Sequence, residues 1–238
     1  MEKLEGKKIL LTGASAGIGV AIAERCAAEG AMVFLTARRK DRLEQLAAKI
    51  NQSGGTAAYY QADLAQPANI DALFAVAHET LGTIDVLINN AGFGRYQPFL
   101  EMDFTIAREM FEVNFFAAAY LTQKVLRLML DRQGGDIVNI VSLAGKNPVP
   151  NLAMYAATKY AMRGFFESLY REVRQHNIRI LNLYPGTVAT EFFQRSGYPE
   201  PDQKRVLQPA DIAEAVVCAL HLPRTATVSD IDLRPTNP

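Results

Sequence analysis

The 238-residue chain is expected to fold as an α/β protein: a doubly wound parallel sheet of about seven strands with helices on both faces, in one domain spanning 1–238. Three observations predict this. Short β-branched apolar runs alternate with longer helix-like stretches from end to end, the pattern that right-handed crossovers between parallel strands require. The central strand candidates are almost continuously apolar, as strands covered on both faces must be. No Pro/Gly/Ser-rich linker, low-complexity tract or internal repeat divides the chain, and α/β domains reach this length undivided.

In order, the strand candidates are Lys7–Thr12 (KKILLT), Ala31–Thr36 (AMVFLT), Thr56–Gln61 (TAAYYQ), Ile84–Asn89 (IDVLIN), Asp136–Val141 (DIVNIV), Ile178–Tyr184 (IRILNLY) and Thr227–Leu233 (TVSDIDL). Helical periodicity places helices at Gly19–Glu29, Lys40–Gln52, Pro67–Leu81, Phe104–Arg132, Tyr155–Gln175 and Pro209–His221. Pro67 and Pro209 suit first-turn positions, where a missing N–H costs nothing. Thr190–Gln208, with Gly197, Pro199 and Pro201, reads as an irregular segment and a candidate lid. In such sheets ligands sit outside the carboxyl ends of the strands, so the residues just after each strand carry the chemistry.

The first strand ends in Thr12-Gly13-Ala14-Ser15-Ala16-Gly17-Ile18-Gly19, directly before a helix. Glycines let the backbone approach a diphosphate, and the helix N-terminus presents free N–H groups and positive dipole to it. Between the first strand and first helix of an α/β alternation, this pattern predicts dinucleotide binding. The second strand ends Thr36-Ala37-Arg38-Arg39-Lys40, with no acid before Asp41. A carboxylate there would bind the ribose 2′-hydroxyl of NAD, whereas an arginine accommodates the 2′-phosphate of NADP. Small Ala37 leaves room and Arg38 offers a planar fork, so NADP(H) is expected in preference to NAD(H).

Hydride transfer to a ketone creates an alkoxide that must be protonated, and the reverse reaction needs a base. Tyrosine serves only where a nearby cation favours the phenolate, and a lysine four residues later on one helical face supplies that charge. Two segments have this spacing, Tyr155–Lys159 and Tyr120–Lys124. Tyr120 lies inside a long amphipathic stretch, where an aromatic packs. Tyr155 opens the helix after the fifth strand, and Ser142 stands at that strand's carboxyl end, able to donate to the substrate oxygen from the same edge.

At this point the chain resembles the short-chain dehydrogenase/reductase family over essentially its whole length. Besides the glycine motif and the Tyr155/Lys159 pair, Asp63-Leu64 is similar to the family's adenine-contacting pair, and Asn89-Asn90-Ala91-Gly92 to its motif after strand four. Asn114 falls at its catalytic asparagine, Ser142 at its serine, and Pro185-Gly186-x-Val188-x-Thr190 at the segment holding the nicotinamide carboxamide. The resemblance implies a Rossmann-type sheet in the order 3-2-1-4-5-6-7, with Tyr155 as general acid in reduction and base in oxidation. It implies that Lys159 lowers the tyrosine pKa and bonds the nicotinamide ribose, that Ser142 orients the carbonyl, and that Asn114 holds a water of a proton relay. Ala16 departs from the basic residue many NADP-dependent members carry, which leaves the 2′-phosphate to Arg38 with Ser15 and Arg39. It also implies a homodimer or homotetramer paired through Phe104–Arg132 and the Tyr155 helix.

Substrate is read only as a small carbonyl or alcohol. Phe93, Gly94, Tyr96, Leu143, Lys146, Pro148, Met154, Phe192 and Tyr198 are pocket candidates, mostly apolar, with Arg95 or Lys146 able to capture a carboxylate. The stretches Leu207–Ala213 and Ile231–Thr236 resemble the branch acting on 3-hydroxy acids and serine-like substrates. The alternatives are a 3-oxoacyl-carrier-protein ketoreductase and, in a different class, a non-catalytic cofactor sensor of the same fold.

Composition sets the remaining expectations. Lys+Arg and Asp+Glu are both 25, so no global field is available to hold nucleic acid or an anionic membrane. The first eight residues lack a signal-like apolar core and no apolar run is long enough to cross a bilayer, so a cytoplasmic location is expected. Cys26 and Cys218 read as buried, and His78, His176 and His221 as exposed or capping. No metal site is expected from their spacing.

Overall fold

The computed structural model describes residues 3–202 and 205–237. Its strands are β1 Lys8–Thr12, β2 Met32–Ala37, β3 Thr56–Gln61, β4 Val86–Asn89, β5 Gly135–Ile140, β6 Ile178–Pro185 and β7 Asp230–Leu233. They form one parallel sheet in the expected order, β3-β2-β1-β4-β5-β6-β7. Leu10 of β1 pairs with Phe34 of β2 on one side and Leu87 of β4 on the other, so the order reverses at β1. The chain leaves β1 and β4 in opposite directions there, which opens a crevice at their carboxyl ends.

The helices are α1 Ile18–Ala28, α2 Lys40–Gln52, α3 Pro67–Leu81, α4 Phe104–Phe111, α5 Ala117–Asp131, α6 Ala153–Val173, α7 Phe192–Ser196 and α8 Pro209–Leu220. Alternate strand residues serve opposite faces. Ile9 and Leu11 pack with Ile22, Cys26, Leu43, Ile212 and Val216 of α1, α2 and α8. Leu10, Phe34 and Leu87 pack with Leu73, Leu121, Met162 and Phe166 of α3, α5 and α6. Two cores on one sheet explain why the central strands read as unbroken apolar runs. Pro67 and Pro209 do open their helices, and at α8 Gln208 and Asp211 close a reciprocal cap.

One buried polar row crosses this sheet. Asn89, Asn139 and Asn182 are in register on β4, β5 and β6. Asn89 Nδ2 donates to Asn139 Oδ1 at 2.9 Å, and Asn139 Nδ2 donates to Asn182 Oδ1 at 2.9 Å. Thr122 of α5 accepts a second bond from Asn89 Nδ2, at 3.1 Å. Amides in adjacent buried strands satisfy one another only at a single alignment, so the row fixes β4–β6 in register.

The structure corrects several expectations. The stretch Phe104–Arg132 is not one helix: α4 and α5 are separated by a π turn over Glu112–Phe116, which holds Asn114. Helical periodicity runs through the turn and cannot reveal it, because tertiary bonds to Asn114 hold it in place. Segment 190–208, expected to be irregular, contains α7; residues 203 and 204 of it lie outside the described residues. The last strand begins at Asp230 rather than Thr227; the segment before it is tied to β6 through side-chain bonds instead, the Arg179 guanidinium donating to the carbonyls of Leu222 and Ala226. Cys26 is buried as expected, and burial pushes its thiol up to about 12. Cys218 is exposed, on the face of α8 opposite Val216, Val217 and Leu220. His221 follows the last turn of α8 and faces Glu29 at 3.4 Å, whereas His78 is half-buried and stacked on Phe74. Among the described residues no helix is long and apolar enough to cross a membrane, and no group of three His, Cys, Asp or Glu is gathered as metal ligands would be.

Candidate active site

The residues singled out at strand ends meet at the carboxyl edge of the sheet. Gly13 and Gly17 have φ values of +68° and +54°, a region costly for residues with a Cβ. Space is as restrictive as conformation. A Cβ on Gly13 would lie 2.8 Å from Ala91 Cα, one on Gly17 2.8 Å from Thr190 Cγ2, and one on Gly19 2.3 Å from Gly13 O. Asn90 staples the loop to β4: its Nδ2 donates to Thr12 O and Gly13 O at 3.0 and 3.1 Å. The backbone N–H groups of Asn90 and Ala91 donate to Thr12 Oγ1 at 3.0 and 3.1 Å. Helix α1 starts at Ile18 from Gly17, with no side-chain cap and no acid in its first turn. Its first N–H groups and positive end are therefore available to a diphosphate.

After β2 stand two arginines and no carboxylate. Arg39 donates to Ser15 Oγ at 3.0 Å and to Ser15 O at 3.2 Å, and to Glu191 Oε2 at 3.0 Å. Arg38 meets Glu109 at 3.5 Å with both side chains about half exposed (57 % and 44 %), a pair that solvent weakens. Asp63 turns its carboxylate onto Ala65 N–H at 3.1 Å, and Leu64 beside it is buried. These positions bring together an uncapped helix start, glycines with no room for a Cβ, and guanidinium groups at the tip of β2.

The second cluster lies beyond β5. Tyr155, in the first turn of α6, is buried, and Ser142 beside its phenol favours the ionised form. Burial outweighs the influence of Ser142 and pushes the phenol up to about 12. Lys159 is 3 % exposed and has no carboxylate partner among the described residues. Its Nζ donates to Ile140 O at 3.1 Å and lies 5.8 Å from the Tyr155 ring centroid, and burial lowers the amine to about 7. Gly92 lets both groups close in, since a Cβ there would lie 3.1 Å from Asn114 Oδ1 and 3.6 Å from Lys159 Nζ. Asn114 Nδ2 donates to Phe93 O at 2.8 Å and to Thr158 Oγ1 at 3.0 Å, and its Oδ1 accepts from Phe93 N–H at 2.9 Å. Thr158, which the sequence analysis does not single out, thereby ties the π turn to α6.

After β6, Gly186 N–H donates to Leu233 O at 2.8 Å, Val188 bridges to Leu207, and Thr190 reaches the glycine loop at Gly17. Phe192 lies against the Tyr155 ring at 5.5 Å, with Phe93, Tyr96, Met154 and Tyr198 in the same apolar cluster. Lys146 is not free to hold a substrate carboxylate: it is paired with Asp232 and Asp230 at 2.7 and 2.9 Å and sits over the Tyr184 ring. Pro148 is exposed, outside this cluster. The alternative pair, Tyr120 and Lys124, shares Asp71 of α3, away from the strand ends.

Gly94 borders the tyrosine directly, since a Cβ would lie 2.8 Å from Phe192 Cζ and 3.0 Å from Tyr155 Cδ2. Gly94→Ala is expected to displace both rings at an overpacking cost of about 1–3 kcal/mol and to lower kcat/KM roughly tenfold or more. Steady-state rates on the best substrate check this.

Comparison with known proteins follows the same lines. The family model described as short chain dehydrogenase matches residues 7–200. Human dehydrogenase/reductase SDR family member 11 is 34 % identical over 251 residues, covering 99 % of this chain and 96 % of its own. A metagenomic short-chain oxidoreductase in complex with NADP superposes with a TM-score of 0.87 at 33 % identity, covering 99 % of both chains. A 7α-hydroxysteroid dehydrogenase complexed with NADH and 7-oxo glycochenodeoxycholic acid gives 0.91 at 31 % identity, over 99 % of this chain and 95 % of that one.

Proposed function

This chain belongs to the short-chain dehydrogenase family, and on that premise we propose that it is an NADP(H)-dependent oxidoreductase acting on a small, largely apolar carbonyl or alcohol. The observation that carries the reading is the buried Tyr155–Lys159 pair with half-buried Ser142 beside it, next to an aromatic cluster and a glycine loop with no room for a Cβ. The nicotinamide of the bound cofactor supplies or accepts the hydride. Gly13, Ser15, Gly17, Ile18 and Gly19 would hold its diphosphate, Asp63 and Leu64 its adenine, and Arg38 and Arg39 the 2′-phosphate. Asn90, Ala91 and Gly92 support the centre of the site, and Pro185, Gly186, Val188 and Thr190 would line the nicotinamide end.

In this reading Tyr155 gives its phenolic proton to the carbonyl oxygen during reduction and removes the hydroxyl proton during oxidation. Ser142 donates to the same oxygen and fixes its position. Lys159, when protonated, favours the phenolate across the short distance between them. Asn114 spends both amide N–H donors on Phe93 and Thr158, so what it offers a relay water is acceptors: the second lone pair of Oδ1 and its backbone carbonyl.

Arginine at the tip of β2 is what favours the phosphorylated cofactor. Arg38→Ala is expected to raise the KM for NADPH about tenfold or more and to leave that for NADH within twofold, because a charge-assisted bond to phosphate contributes about 1.5–3 kcal/mol. Equal effects on both cofactors would reduce the basic trio to a helix start. The substrate class is tested by a panel of short 3-oxo acids, 3-oxoacyl thioesters, aldehydes and apolar ketones, read by NADPH absorbance. Arg95, half-buried and without a carboxylate partner among the described residues, is the group to mutate if the acids are preferred. Cofactor binding without turnover of any compound would favour a sensor.

A further inference from the structure

Glu191 stands immediately after Thr190, at the start of α7, and three guanidinium groups converge on it. Arg39 reaches Oε2 at 3.0 Å, Arg195 reaches Oε2 at 2.7 Å, and Arg42 reaches Oε1 at 2.5 Å. Together the bonds from Arg42 and Arg39 hold the carboxyl down to about 2, so it is an anion at any working pH. The same Arg39 also grips Ser15 in the glycine loop. Glu191 therefore spans the crevice, from the segment after β6 to the end of β2 and the phosphate cradle.

The charge balance of this cluster is uneven. Three guanidinium groups surround one carboxylate, and Arg38 nearby makes an exposed contact with Glu109. The group has capacity for more negative charge than it contains, and a dianionic phosphate is a better partner for a guanidinium fork than a single carboxylate. A phosphate arriving at the tip of β2 meets an Arg39 whose Nη1 is already committed to Glu191.

We propose that Glu191 is a specificity-determining residue, an internal anion that competes with the 2′-phosphate of the cofactor for Arg39. The inference rests on the NADP(H) reading above and deepens it. While Glu191 holds Arg39, the guanidinium is partly neutralised and the 2′-phosphate is disfavoured relative to an unphosphorylated ribose. When the phosphate takes Arg39, Glu191 retains Arg42 and Arg195, so the start of α7 stays anchored. The carboxylate thus sets how strongly the enzyme separates NADP(H) from NAD(H) without touching the reacting atoms.

Adenosine 2′,5′-bisphosphate and 5′-AMP isolate this effect, since they differ only in the 2′-phosphate and carry no nicotinamide. Their affinities are measured by calorimetry on the full chain and on Glu191→Gln, which keeps the shape and removes the charge. The expected result is that Glu191→Gln binds the bisphosphate about five- to twentyfold more tightly, with 5′-AMP changed less than twofold. Weaker bisphosphate binding would overturn the proposal, by showing that Glu191 orients Arg39 for the phosphate. Equal affinities in wild type and variant, where wild type still prefers the bisphosphate, would overturn it and leave the NADP(H) reading intact. If neither protein prefers the bisphosphate, both readings fall. A preference present only in Glu191→Gln would support the competition in its strongest form.

Discussion

Tyr155→Phe is expected to lower kcat at least a thousandfold while changing NADPH affinity less than twofold. The substitution removes one oxygen and keeps the ring, so packing against Phe192 and the apolar cluster persists. The proton donor is lost, and a positioned general acid or base contributes about 10²–10⁴ in rate. Tyr120→Phe is the matched control, because that hydroxyl bonds Asp71 on α3, beside Lys124 and away from the strand ends, and its activity should stay within a factor of two. Steady-state rates and fluorescence titration of NADPH on both variants decide the matter. A fully active Tyr155→Phe, or an inactive Tyr120→Phe, reverses the assignment.

The ionisation of Tyr155 gives this variant a pH signature. With the phenol held at about 12 in the free chain, the group is protonated throughout the neutral range. It stands ready as an acid for reduction but must lose its proton to act as a base. Alcohol oxidation by the wild type should therefore accelerate with rising pH, whereas carbonyl reduction should not. In Tyr155→Phe the residual oxidation should follow hydroxide concentration alone.

What was legible in the sequence was whatever a single strand end fixes. Gly13, Gly17 and Gly19 are readable because a turn between strand and helix admits no Cβ, and the structure shows the contacts that exclude it. Tyr155 was separable from Tyr120 by its place after β5, although both share the same spacing to lysine. Features set by contacts between distant segments were not legible. The π turn at Asn114 depends on Phe93 and Thr158, and periodicity passes straight through it. The capture of Lys146 by Asp230 and Asp232 joins residues more than eighty apart, so a residue read as a substrate ligand is instead a strut between β7 and the loop after β5. Glu191 is silent for the same reason, being 152 positions from Arg39.

Lys159→Met is expected to make the cofactor-free protein more stable in acid while lowering turnover at least a hundredfold. Burial lowers the amine to about 7 in the folded chain, against an ordinary value of 10.5. The sign follows directly. Below pH 7 the folded and unfolded chains both carry the proton, and the folded chain bears the full penalty of a buried ammonium with one carbonyl partner. Between about 7 and 10.5 only the unfolded chain binds the proton, so stability rises with pH; above that range the penalty is gone. At 1.36 kcal/mol per unit the penalty is of order 5 kcal/mol. Met fills the same volume with no charge, so this dependence disappears. For a chain of this length 1 kcal/mol moves Tm by about 2–4 °C, so the variant should melt roughly 10 °C or more above wild type at pH 6. The gap should close towards pH 10. Calorimetric Tm profiles from pH 5.5 to 10 would show parallel curves if Lys159 were solvated or paired in solution. The activity loss runs the other way, because the charge that destabilises the empty fold is the one that favours the Tyr155 phenolate. A residue whose removal stabilises the chain and disables it is held in place by chemistry and not by packing.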